Sequence, residues 1–248
     1  MGRALMLLRF DAQSLWRDNF LITVAGITGL LLAAIGLAGQ FREVLGVDHL
    51  QMWIPYVLIL FLISNAGTYG MLFGLVFVEE VETRARAALM VLPMDPVHQA
   101  LIRTLSVVVW LLVQSVLFAW IVAAGWDAVP FGLFGWCLLA VALAPLGAVF
   151  MLTLSTVASN RVEALAMGKF FSGASTPPIL LYLIAEDAWY RHLFLILPTT
   201  PAVHAFEALR AGEDSIALLW VAAGITYALL LGLLALRRYI RKSYMISA

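Results

Sequence analysis

Apolar runs of about 20 residues recur along the chain, separated by short polar stretches. They fall at about 20–39, 52–78, 104–124, 131–158, 167–185 and 215–236. Roughly 20 apolar residues in a helix cross the hydrocarbon core of a bilayer. A helix also satisfies its own backbone groups there, so the pattern predicts six transmembrane helices. The second and fourth runs are long enough to tilt. The fifth contains Pro177 and Pro178, whose missing backbone donors predict a kink or break.

Two other stretches are amphipathic. Near the start, Leu5, Leu8, Ala12, Leu15 and Trp16 recur at helical spacing, while Arg9, Gln13 and Arg17 share another face. That spacing predicts an interfacial helix over 1–19, lying along the membrane surface ahead of the first span. The second stretch is "VFVEEVETRARAALMVLPMDP", residues 76–96. Val78, Val81, Ala85, Leu89 and Leu92 form one apolar stripe. Glu79, Glu80, Thr83, Arg84 and Arg86 lie away from it, which predicts exposure. Glu80 to Arg84 and Glu82 to Arg86 are i,i+4 pairs with the acid first, each contributing about 0.3–0.5 kcal/mol. The Met94-Asp95-Pro96 step predicts a turn, with a new helix from Pro96 through Arg103 into the third span.

Composition agrees with the pattern. Hydrophobic residues make up 63% of the 248 and charged residues 12%, with a mean hydropathy of +0.98. Soluble globular chains carry about twice that charge, so this is an integral membrane protein. The formal net charge is zero, but the charges are unevenly divided. With the N-terminus inside, only Arg42, Arg191 and Arg210 of the 15 Lys and Arg residues fall outside. The positive-inside rule then places both termini in the cytoplasm and the chain in the cytoplasmic membrane as a multi-pass protein. Lys169, in "MGKFFSG", reads as a positive anchor at the start of the fifth span.

Candidate chemistry is sparse. The single cysteine, Cys137, excludes an internal disulfide. His49, His98, His192 and His204 form no H-x-x-x-H or H-E-x-x-H pair, which argues against a helical metal site. His204 and Glu207 stand one turn apart without an evident third ligand. No G-x-x-x-x-G-K-[ST] phosphate loop and no G-x-S-x-G elbow occur, so the chain is not expected to hydrolyse ATP. "FFSGAS" offers a serine beside a glycine, but no later span supplies a histidine base. A polytopic scaffold or an intramembrane enzyme remains the alternative to a transporter.

Acids directly after a span, then an amphipathic helix and a proline turn, resemble the permease subunits of type-2 ABC exporters. Glu79, Glu80 and Glu82 match that family's acidic start, and "ALMVLPMDP" its apolar-then-proline end. The family's Gly-Thr step is replaced here by "TRARA". The last outside connection, "EDAWYRHLFLILPTTPAVHAFEALRAGE", looks like the small bacterial drug or fluoroquinolone exporters in particular. The resemblance implies an all-α transmembrane domain over 20–248. Its parts would be a cytoplasmic coupling helix after the second span (about 79–98) and re-entrant extracellular helices between the fifth and sixth spans (about 186–212).

The resemblance further implies export of a hydrophobic or amphipathic substrate by alternating access. It implies a separate ATP-binding cassette ATPase carrying ATP and Mg, a second permease copy as homodimer or related heterodimer, and no cofactor in this chain. The ATPase-coupling residues would be Glu79, Glu80, Glu82, Arg84, Arg86, Leu89 and Leu92. No ionisable residue lies at mid-span depth, which argues against a proton relay. Asn65, Thr68 and Gln114 are the candidate path residues, helix–helix hydrogen bonding being their ordinary alternative.

Overall fold

The computed structural model describes residues 9, 13, 18–83, 95–126, 132–184 and 188–247. Those residues form helices and no strand. In chain order the α-helices are α1 (Asn19–Gln40), α2 (Arg42–Leu45), α3 (Ile54–Glu82), α4 (Pro96–Gly125), α5 (Gly132–Val157), α6 (Arg161–Ser175), α7 (Thr200–Ala211) and α8 (Asp214–Ser247). Short 3-10 segments occupy Asp48–Trp53, Pro177–Leu183 and Trp189–Ile196. Most of the predicted surface helix over 1–19 lies outside the described residues.

Among the described residues five helices, not six, are long and apolar enough to cross a membrane: α1, α3 with the turn before it, α4, α5 and α8. The expected fifth span is broken. It consists of the 15-residue α6 followed by the 3-10 segment Pro177–Leu183. Pro177 and Pro178 cannot donate to the carbonyls four residues back. Local hydroxyls take over some of that bonding. The Thr176 hydroxyl donates to the Gly173 carbonyl at 3.0 Å, and the Thr199 hydroxyl to the Ser175 carbonyl at 2.7 Å. Ile179 N–H turns to the Thr176 carbonyl at 3.1 Å, which sets the tighter 3-10 winding.

α5 is the central helix, packed by α3, α4 and α8. Helices in lipid gain little from hydrophobicity and associate through close packing of small residues. Gly70 on α3 shows this: a Cβ there would stand 2.6 Å from the Gly147 carbonyl oxygen on α5. Trp136, Leu139, Leu143, Leu146 and Met151 fill the centre. α1 is peripheral and packs on α4. A Cβ on Gly125 would lie 2.6 Å from the Gly36 carbonyl oxygen, and Trp126 Nε1 donates to the Ile35 carbonyl at 2.8 Å. α7 is buried against α8 and α5. It starts with Pro201 in its first turn and stops at Gly212, whose φ of 75° suits a residue without Cβ.

Candidate functional site

The polar chemistry collects at one end of the bundle, where α3 and α5 finish and α4 and α6 begin. Glu80, in the last turn of α3, is 5% exposed. Its two carboxylate oxygens accept from Arg103 Nη1 at 2.9 Å and Nη2 at 2.6 Å. The Arg103 guanidinium also sits 4.5 Å above the Phe77 ring. This overturns the expectation that Glu80 lies on an exposed face. Near a membrane a helix turns its polar side chains inward, toward partners that replace water.

Glu79 and Glu82 face a second cation. Arg161, the first residue of α6, bonds Asp18 through Nη2 and lies 4.0 Å from Glu79 through Nη1. Its backbone N–H donates to Glu82 at 3.3 Å. One residue thus gathers the starts of α1 and α6 and the end of α3. The sequence leaves Arg161 and Glu163 free to touch a partner, in the short connection between the fourth and fifth spans. Instead, Glu163 folds back on its own helix start. It accepts from Ser159 N–H and Oγ–H at 2.7 Å each, while its N–H donates to the Asn160 side chain at 2.9 Å. This reciprocal cap holds the Glu163 carboxyl below its usual range, chiefly through the Ser159 backbone bond and then its hydroxyl.

Two further contacts close this end. Lys242 Nζ, late in α8, donates to the carbonyls of Ser155, Thr156 and Ala158 at 3.0–3.2 Å, capping α5 with a cation. Asp95 caps α4 by accepting from Val97 N–H at 3.1 Å, and Pro96 takes the first helical position as expected. Arg84, Arg86, Leu89 and Leu92 lie outside the described residues.

The path candidates occupy the middle of α3 and α4. Asn65 is 2% exposed, and both its amide atoms are without a hydrogen-bond partner among the described residues. Thr68, one turn on, is half-buried. Gln114 Nε2 donates to Tyr69 Oη at 2.9 Å, and Gln114 Oε1 has no partner among the described residues. The structure therefore joins Gln114 to the neighbour of Thr68, with Asn65 a turn away. At the other end, His204 Nδ1 is 3.0 Å from Glu207, whose second oxygen lies 3.4 Å from Arg191. The His204 ring stacks on Trp220 at 4.6 Å. This is an ion-pair cluster, and no group of three metal-ligating side chains occurs among the described residues.

A family profile described as the fluoroquinolones export permease protein Rv2686c-like matches residues 11–236. The chain belongs to that family. No curated protein matches it. Membership bears out the resemblance to ABC-type drug-export permeases and makes the chain a membrane-embedded transport subunit.

Sequence reading missed the roles of Arg103, Arg161 and Asp18. A signal was present for the first: Arg103 follows Pro96 by about two turns of helix, before the third apolar run begins, and can reach back to the acids that end α3.

Proposed function

We propose that this chain is the permease subunit of an ATP-driven exporter for hydrophobic or amphipathic compounds of the fluoroquinolone type. It works by alternating access in the cytoplasmic membrane, with the charged end of the bundle and both termini in the cytoplasm. The distribution of Lys and Arg supports that orientation. α6 and the segment Pro177–Leu183 together supply the sixth crossing. Their 15 and seven residues extend about 22 Å and about 14 Å, enough for a hydrocarbon core of about 30 Å. The helices between 189 and 211 form the re-entrant element on the outer side.

The observation that carries the reading is the bidentate Glu80–Arg103 pair. Residues 84–94 connect α3 to α4, and this buried pair joins those helices just inside the connection. An ATPase subunit docked on the segment 79–98 would therefore push on two spans held together, as a lever requires. Glu79 and Glu82 form the accessible part of its docking rim, with Arg84, Arg86, Leu89 and Leu92 beyond them. ATP and Mg belong to the ATPase, and a second permease copy completes the path. Asn65, Thr68 and Gln114 offer it hydrogen-bonding groups.

The test is to express the chain with its cognate ATPase and assay ATP-dependent uptake of a fluoroquinolone into inverted vesicles. Co-purification and ATP-dependent uptake are expected. Reversing Glu79 and Glu82 to lysine should reduce uptake while membrane insertion stays normal. Uptake that needs no ATPase would sink the proposal.

A further inference from the structure

Lys169 was expected at the mouth of the fifth span, but α6 begins earlier, at Arg161. Lys169 therefore stands about 12 Å along the helix from the charged end. A second ruler agrees. A Cβ on its neighbour Gly168 would collide with Met71, which lies two turns back from Glu79 on α3. Lys169 is exposed and has no hydrogen bond or ion pair among the described residues. Phe170 beside it is 69% exposed, and a Cβ on Gly173 would meet nothing within 4 Å.

α6 exposes Val162 and Phe170 as well, but α1 and the middle of α8 carry no charge. Leu30 and Leu31 on α1, and Leu229 and Leu233 on α8, are each more than half exposed and suit lipid tails. α6, with 15 residues, is too short to cross a bilayer alone and carries Arg161, Glu163 and Lys169. An ammonium at such depth faces a water-filled cavity or an anion, because hydrocarbon offers it no partner. The four-carbon stem of lysine carries its ammonium about 6 Å toward the interface, about half of 12 Å.

The geometry points to the free face of α6 as the wall of an aqueous vestibule, in which Lys169 binds the anionic oxygens of an amphipathic cargo. The shared chemistry is a carboxylate or phosphate attached to an apolar body. Phe170 supplies the apolar contact beside the charge. This rests on the exporter reading for the cargo, though not for the aqueous wall.

The aqueous wall is tested by thiol accessibility. In a Cys137→Ala background, Lys169→Cys should react with a membrane-impermeant thiosulfonate at least tenfold faster than Leu230→Cys on α8. Equal, slow labelling would place Lys169 in lipid and overturn the inference. The anion role is tested by transport of a fluoroquinolone against its methyl ester. Lys169→Gln should raise Km for the acid at least tenfold and leave the ester unchanged, and Lys169→Arg should restore the acid. Equal loss for both compounds overturns the anion role. Repeating the assay in vesicles with and without anionic lipid separates the sources, since an effect confined to anionic vesicles identifies a lipid headgroup as the ligand. A wild-type chain that transports neither compound defeats the exporter reading alone, and the labelling still decides the wall.

Discussion

Glu80→Gln is the most informative single change at the charged end. Glu80 and Arg103 side chains are 6% and 3% exposed, with contacts of 2.6 and 2.9 Å. Removing one charge of a buried, bidentate pair takes two charge-assisted bonds from the other, at a cost of about 3–5 kcal/mol. For a chain of this size each kcal/mol moves Tm by about 2–4 °C, so a fall of about 6–20 °C is expected. Replacing both partners, as Glu80→Leu with Arg103→Met, leaves no stranded charge and should recover most of the loss. The assay is thermal unfolding of detergent-purified protein, followed by size-exclusion fluorescence. Transport in vesicles then separates stability from transmission. The double variant should be stable but transport less, because an apolar contact does not fix the register of two helices as a bidentate bond does. A Tm shift below about 2 °C for Glu80→Gln would refute the buried pair. Full transport by the double variant would refute its role in the lever.

Three other outcomes follow from the same geometry. Asn65→Leu removes two buried amide atoms that have no partner among the described residues and should raise Tm by about 2–12 °C while fluoroquinolone transport falls; a lower Tm would show that Asn65 is a structural hydrogen-bonding residue. Gly125→Val places a branched side chain where even a Cβ is 2.6 Å from the Gly36 carbonyl oxygen. It should cost about 1–3 kcal/mol and speed amide exchange over 36–40 but not in α5. Unaltered exchange would mean the seam tolerates a spacer. The Glu163 cap is formed by the carboxylate, whose affinity for protons is lowered on folding. Its contribution is present above the ordinary carboxylate range and is lost as pH falls through the depressed folded value. Amide exchange in the first turn of α6, corrected for intrinsic rate, should therefore rise in acid, and Glu163→Gln should abolish that dependence.

The spans were readable because twenty apolar residues can do little else in one stretch, and α4 was readable from Asp95-Pro96. The break in the fifth span was written in Pro177-Pro178. Its true start was not, because a hydropathy pattern passes over a helix that begins with charge. The cap residues in "SNRVE", Asn160 with Glu163 three places on, carried that start instead. Glu80 was misplaced by wheel reasoning suited to water, where acids face outward. Its partner lies 23 residues away, and that of Asp18 lies 143 away. No local periodicity announces such pairs, which arise only when the spans are assembled.

The thin attachment of α1 has a consequence for synthesis. Its packing partner, α4, is not made until residues 96–125 emerge, long after 19–40 have entered the bilayer. Through that interval α1 stands alone in lipid, which its uncharged sequence tolerates. The glycine seam at Gly36 and Gly125 then closes by lateral diffusion. A chain cut within 41–53 and expressed as two pieces should therefore still assemble, since α1 and its partner α4 meet only after each has entered the bilayer.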